Sequence, residues 1–545
     1  MQRFSTSYLF TLFLALIFLV AVHPNCFGSN FTSDPKFMRT DFDGDHDVDG
    51  VDLALCSRFF GAGNYGADFN GDNTLDILDV AFFSESFGID NYLDAERFAY
   101  VYEVGPGKEY LDPSDVPWEA LKPGSLVLIY YRDEPYASKW VIAVAGTEEK
   151  PIVVRGVPRD GKLPVITGEN ASTRLNLDFW NENRSVIKIG GSSYPSEFPE
   201  FIRIENLDIK SARPPFSFLD DRGNTRYYSS NAASIHVEMG NHIIIRNCIL
   251  HDSGNGFFAG SQSSDLLLEG NYIYDNGIEG SIYEHNNYTE CLGIVFQFNH
   301  FGPLRQGCRG NNLKDRSAGT VIRYNWIEAG NRTIDLVESD HENLINDPSY
   351  RNTYVYGNVL IKHDVEENGQ VLHYGGDGGD YDKYRKGTLW FYNNTVVSYR
   401  SGNTTLIGIS TNDETVEAFN NIVYTTASGY HLAVMGERGV VEFYNNWIKE
   451  GWRVVHGSLY GSFTQHDNLA DSFPEFSDFA NKDFTLSPDS SCIDSGTVLP
   501  AYLLPLHGLT YEYNLHQKHS VRSNDGTIDM GAFERFQVDN VKGEY

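Results

Sequence analysis

One short unit recurs along this chain: two or three alternating apolar residues, a polar or small residue, an Asn, then another apolar residue. It reads as Ile243–Ile249, Leu266–Ile273, Ile294–Phe301, Val321–Ile327, Thr353–Leu360, Leu389–Val396, Val416–Val423 and Val441–Ile448. The turn residues Asn247, Asn271, Asn299, Asn325, Asn358, Asn394, Asn421 and Asn446 follow one another at intervals of 24 to 36 residues. Self-similarity at such a period marks stacked repeats, in which each coil buries its apolar face against the next. Asn tolerates the left-handed turn, and its amide can bond to the coils above and below. The pattern predicts an all-β fold, a right-handed parallel β-helix, over residues 98–535. A β-sandwich gives no reason for one Asn-bearing unit to return eight times.

Composition agrees with a turn-rich β chain: 51 Gly and an aromatic fraction of 14%, in a chain of 545 residues. The 42 basic and 74 acidic residues leave a net charge of −32. Such a field argues against nucleic acid and anionic membranes as partners. An anionic polymer can then bind only where a local basic groove overrides the global charge.

Residues Met1–Gly28 read as a secretory signal, with Arg3 before an apolar stretch over Tyr8–Val22 and small residues at Cys26 and Gly28. A secreted or cell-surface protein with no membrane span after cleavage is expected, working as a monomer. Five Cys remain after that point (Cys56, Cys248, Cys291, Cys308 and Cys492). They are too widely spaced for a zinc motif or a disulfide framework, so packing as small apolar residues is expected.

Two loops alternate carboxylates as calcium ligation requires. The first places Asp41, Asp43, Asp45, Asp47, Asp49 and Asp52 at loop positions 1, 3, 5, 7, 9 and 12. The second does so with Asp68, Asn70, Asp72, Thr74, Asp76 and Asp79. Each runs into an apolar helical stretch, Val51–Phe60 and Ile77–Phe87, and the twelfth residue is Asp rather than Glu. This repeat resembles a type I dockerin, giving a calcium-binding module over residues 38–90. The resemblance implies calcium-dependent folding and a cohesin-type protein partner.

Before several Asn units lies another short strand, read as Ser281–Asn287, Asn312–Ser317, Thr333–Glu338 and Val371–Gly375. Stacked in register these strands collect Glu284, His285, Lys314, Arg316, Asp335, Glu338, His373 and Tyr374. Later coils carry apolar residues there. Two flanking loops bring Tyr350, Arg351, Asp377, Asp380, Tyr381, Tyr384, Arg385 and Lys386 to the border of this face. Aromatic side chains suit sugar rings, and cations suit carboxylate or sulfate.

Asn311–Ser317 with Val321–Asn325 resembles the catalytic coil of β-helix polysaccharide lyases of the chondroitinase B and alginate lyase type. A larger group of secreted polysaccharide-degrading β-helix proteins is similar over nearly the whole helix, including Phe301–Arg305 and His373–Asp377. The resemblance implies β-elimination on a uronate-containing polysaccharide, which needs a base, a cation for the carboxylate and a proton source. Lys314 is then the candidate base, its pKa lowered by Arg316 and Arg323, and His285 beside Tyr288 is the rival base. Arg316 or His373 would neutralise the uronate or help the leaving group. Arg323, Tyr288, Tyr374, Tyr384, Arg385 and Lys386 are candidate substrate contacts. Glu284, Asp335 and Glu338 are candidate ligands of an active-site calcium. The chain departs from that lyase pattern at Arg309 and Gly310, where acidic calcium ligands stand, and at Asp335, where an Arg stands. Two other functions remain open: a glycoside hydrolase using Asp335 with Glu338 or Asp377, and a carbohydrate-binding surface protein without catalysis.

Overall fold

The computed structural model describes residues 98–194, 197–365, 367–523 and 526–535. The expected signal peptide (1–28) and calcium module (38–90), with all twelve loop ligands, lie outside the described residues.

The described chain is a parallel β-helix, nearly all strand. One face is an 11-stranded parallel ladder from Val165–Thr167 to Leu469–Asp471. The other two faces belong to one 24-stranded sheet, because the strands Ala233–Arg246 and Asn255–Glu269 run continuously around the corner between them. Alternation along each strand sends one set of side chains inward. In register along the 11-stranded face, Leu250, Ile273, Phe301, Ile327, Leu360, Val396, Val423 and Ile448 form one buried file. Each contributes roughly 1.5–3 kcal/mol through apolar burial, and the file holds only if every coil keeps its register.

The Asn repeat holds that register. From Asn271 to Asn468 each Nδ2 donates to the Oδ1 of the Asn one coil further on, at 2.9 to 3.2 Å. Each Oδ1 also accepts a backbone N–H from the coil before, so a buried turn leaves few orphan groups. Asn247 is not a member. It takes the left-handed position one residue earlier (φ 51°), and Cys248 holds the ladder position, its N–H capping Asn271 at 2.9 Å. A second, shorter Asn ladder links Asn276, Asn286 and Asn312 through Nδ2···Oδ1 bonds of 3.0 and 2.9 Å.

The coils end at Leu469–Asp471, inside the stretch expected to be helix throughout. The following segment folds back along the solenoid. Thr497 N–H donates to Asn420 Oδ1 (2.8 Å), Asn393 donates to the Asp529 carbonyl (3.0 Å), and Tyr324 to that of Gly508 (3.0 Å). It covers an aromatic stack of Tyr356, Tyr392, Phe419 and Tyr444, whose ring centroids lie 4.8 to 5.1 Å apart. Cys248, Cys291 and Cys492 are buried free thiols, as their spacing implied. No helix among the described residues is long and apolar enough to cross a membrane.

Candidate active site

Four strands form the floor of the site: Asn287–Thr289, Leu313–Asp315, Ile334–Leu336 and Gln370–Tyr374. Their register aligns Tyr288, Lys314, Asp335 and His373 in one outward file. Phe258 and His236 extend the file on one side and Gly408 on the other. The first strand starts six residues later than expected, at Asn287 rather than Ser281. Glu284 and His285 therefore sit in the turn before it, and Tyr288 takes the outward place. The second Asn ladder fixes this register through Asn286.

Within the file the charges are tightly arranged. Lys314 Nζ lies 3.2 Å from Asp335 Oδ2 and 3.0 Å from Asp377 Oδ2. The fully buried Asp335 also meets His373 Nδ1 at 2.8 Å, Arg332 at 3.0 Å and the Asn311 amide at 2.6 Å. Burial opposes its charge, but these partners hold its carboxyl far below the usual carboxylate range. Burial likewise pulls Lys314 down, yet Asp335 and Asp377 outweigh it and raise its pKa. Lys314 is an ammonium. The expected lowering by Arg316 and Arg323 is corrected on both counts: the carboxylates dominate, and Arg323 is not at the site.

An open cleft of about 760 Å³ lies over Tyr288 and Lys314. Arg309, Arg316 and Arg332 line it with Lys314, each paired with a carboxylate: Glu367, Asp340 and Asp335 for the arginines, Asp335 and Asp377 for the lysine. Four cations against the two lining carboxylates Glu284 and Asp377 still leave the cleft locally basic in a protein of net charge −32. Arg316 lies 5.8 Å from the centre of the Tyr288 ring, and His285 meets that ring edge-on at 5.4 Å. Burial raises the Tyr288 phenol, while Arg316 and Lys314 favour its phenolate. The His285 Nδ1 accepts the Asn311 backbone N–H at 2.9 Å. Burial, with Lys314 nearby, lowers its pKa to about 3. The ring is therefore neutral with its proton on Nε2, which makes His285 a hydrogen-bond donor to the cleft rather than the rival base.

Several expected contacts lie elsewhere. Arg323 sits on the neighbouring face, bonded to Gln297 (2.8 Å) and Tyr356 (3.2 Å), because its strand belongs to the next side of the coil. Tyr374 follows outward His373, so alternation turns it into the core. Arg385 is fully buried, paired with the equally buried Asp315 at 3.0 Å, and pins its loop to the solenoid. Tyr384 is buried against Gly376 and accepts the Gly379 N–H at 3.1 Å. Lys386 pairs with Asp413 at 3.6 Å outside the cleft. His373 has both ring nitrogens engaged, by Asp335 and by Ser410 Oγ at 3.0 Å, and acts by orienting Asp335.

The three carboxylates expected to share a calcium do not converge. Asp335 is taken by cations, and Glu338 accepts the backbone N–H groups of Asp377 (2.9 Å) and Gly378 (2.5 Å). Glu284 lines the cleft alone, with Oε2 buried and unbonded. Among the described residues no three His, Cys, Asp or Glu side chains come together as a metal-binding group. Arg332, Asn311 and Ser410 were not recognised from sequence: Arg332 and Ser410 lie just outside the strands, and the Asn311 side chain resembles any turn amide.

No protein-family profile and no curated protein matches the chain. Solved structures with a similar backbone include an alginate lyase from Paenibacillus sp., 11% identical over 65% of this chain and 95% of that one, with a TM-score of 0.39. The pectate lyase Pel9A is 14% identical over 81% of this chain and 97% of its own, at a TM-score of 0.45. A lacto-N-biosidase from Eubacterium ramulus is 12% identical, covering 82% of this chain and 81% of its own at 0.38.

Proposed function

We propose that the protein cleaves a uronate-containing polysaccharide by β-elimination. The observation that carries this reading is the meeting of Arg309, Lys314, Arg316 and Arg332 beside Tyr288 in a cleft over the outward file. Arg316 and Arg332 bind the uronate carboxylate and neutralise it, which acidifies the proton on C5. His285 adds an Nε2–H donor to the same oxygens. Tyr288 takes the C5 proton as its phenolate, a form that burial opposes more than Arg316 and Lys314 favour it, so cleavage is expected to quicken as pH rises. The C5–H electrons form the C4–C5 double bond, and the C4–O bond breaks. Lys314 gives its proton to the departing oxygen. Proton return from Tyr288 to Lys314 resets the site.

A hydrolase reading asks for two free carboxyls across the scissile bond. Asp335 lies buried beneath Lys314, and both Glu338 oxygens hold a loop, so the expected pairs are committed to other partners. The test is a screen of alginate, pectate, chondroitin and ulvan, read by product mass and ultraviolet absorbance. Elimination yields unsaturated products one water lighter than hydrolytic ones; products that have gained water would defeat the reading.

The N-terminal repeat is read separately, as a calcium-folded docking module for a cohesin-type partner, and the whole chain as a secreted protein.

A further inference from the structure

The outward file that forms the floor of the cleft is open for only a short distance. Towards the amino-terminal coils the next positions after Tyr288 are Phe258, His236 and Lys188. Lys188 is fully buried and His236 only 5% exposed, because a long insertion before these coils lies across them. Lys188 Nζ donates to the Trp180 carbonyl at 2.6 Å, and the Arg184 guanidinium lies 5.1 Å from the Phe258 ring centre. Ser230 and Asn231, at the end of a second loop that precedes the strand Ala233–Arg246, form a wall of the cleft. That wall is fastened: Ser229 N–H donates to the Asn183 carbonyl at 3.0 Å, and Asn255 donates to that of Asn231 at 3.1 Å.

The other end is also closed. Asp335 is fully buried and His373 only 6% exposed. Arg332 donates to Gln370 Oε1 at 2.9 Å, and the Gln370 side chain fills the space over Gly408, where a Cβ would meet it at 2.3 Å. From the opposite loop Asp377 reaches across to Lys314. Of this file only Tyr288 and Lys314 line the cleft, two coils about 4.8 Å apart. A polymer lying along the solenoid axis needs a continuous trough; this cleft has a wall at each end.

We infer that the cleft recognises a chain end and that cleavage is exolytic, releasing one short product per turnover from an anionic polysaccharide. Tyr283, 73% exposed on the rim, offers an aromatic surface to the sugar that remains outside. This inference rests on the polysaccharide reading for its substrate, but it needs neither elimination nor hydrolysis.

The test uses the full-length protein and the anionic polysaccharide of the screen. Solution viscosity and product size are followed from the first per cent of cleavage. The expected result is a single smallest product from the earliest sample, with viscosity falling far later than product accumulates. A ladder of intermediate sizes with an immediate fall in viscosity would overturn the inference. A polysaccharide that is not cleaved defeats the elimination reading alone, and binding then decides the cleft's geometry. The same polymer, fragmented to several lengths, is titrated at equal mass. Capacity rising with the number of chain ends supports end recognition; capacity that follows mass, or no binding at all, overturns it.

Discussion

Lys314 Nζ lies 3.2 Å from Asp335 Oδ2, and the register of two three-residue strands sets that distance. An ammonium held between Asp335 and Asp377 is a charge and a proton donor, so the proton acceptor must be another group. Tyr288→Phe is expected to cut kcat by about 10²–10⁴-fold, the usual worth of a positioned acid or base. Lys314→Arg keeps the charge but has no proton it can release, so its kcat is expected to fall as well. Steady-state kinetics on a substrate with an activated leaving group, which needs no acid, is expected to restore Lys314→Arg but not Tyr288→Phe; the reverse would restore Lys314 as the base.

Asp315 and Arg385 are both fully buried and 3.0 Å apart, with Thr289 and Thr320 completing the carboxylate's bonds at 2.7 and 2.6 Å. Removing one partner leaves the other charge uncompensated in the interior, so Arg385→Met is expected to cost about 3–5 kcal/mol. Urea unfolding measures this. A loss of substrate affinity with stability unchanged would instead return Arg385 to the substrate contacts.

The Asn ladder separates two residues that look alike in the sequence. Asn358→Ala removes Nδ2 bonds to Ile322 (2.9 Å), Tyr356 (3.0 Å) and Asn394 (3.0 Å) and orphans buried groups, at roughly 1–3 kcal/mol for each. Asn247→Ala meets only the left-handed backbone cost, about 1–2 kcal/mol, and Asn247→Gly relieves it. Equal losses for the two alanine variants, measured by urea unfolding, would contradict the ladder assignment.

Buried histidines oppose the fold in acid well above the range in which Asp335 titrates. Burial lowers His285 to about 3 and His507 and His516 to about 4, against 6.5 in the unfolded chain. At these groups the unfolded state binds more protons between those values, so their contribution to stability is full above pH 6.5 and is lost as pH falls towards 4 and then 3. Glu182, Glu512 and Glu534, raised by burial to about 7, work in the opposite direction between about pH 7 and 4.5. The rings are therefore followed one by one: their NMR shifts are expected to remain those of neutral imidazole from pH 7 to pH 5, and titration near 6.5 would contradict this.

Calcium removal offers a separation of parts. The twelve loop ligands lie in residues 41–79, whereas among the described residues the cleft brings no three His, Cys, Asp or Glu side chains together as a metal-binding group. A chelator is expected to abolish calcium binding to the full chain, measured by titration calorimetry, while the cleavage rate stays within about twofold. A rate that collapses and returns with calcium would contradict a metal-independent cleft.

The solenoid was legible because its repeat is long and its Asn signal local: an amide needed at one turn of every coil survives as a letter at a fixed offset. The file containing Lys314, Asp335 and His373 was legible for the same reason, since alternation along a known strand gives the outward side. Tyr288 was harder. The residues before it that look like strand, Glu284 and His285, lie in a turn, and its register comes from Asn286 bonding to Asn276 and Asn312. Arg323 and Arg385 misled because a cation near the site in sequence is read as exposed. One lies around a corner of the coil, and the other has its charge met inside the core. The wall at the amino-terminal end of the cleft depends on two loops whose docking no local pattern reveals.

The most direct test of elimination at this cleft is the mass of the products formed from an anionic polysaccharide by the wild-type protein and by Tyr288→Phe. The account predicts wild-type products lighter by one water than hydrolytic fragments and absorbing in the ultraviolet, with almost none from the variant. Saturated products carrying the added water, formed equally by both proteins, would contradict it.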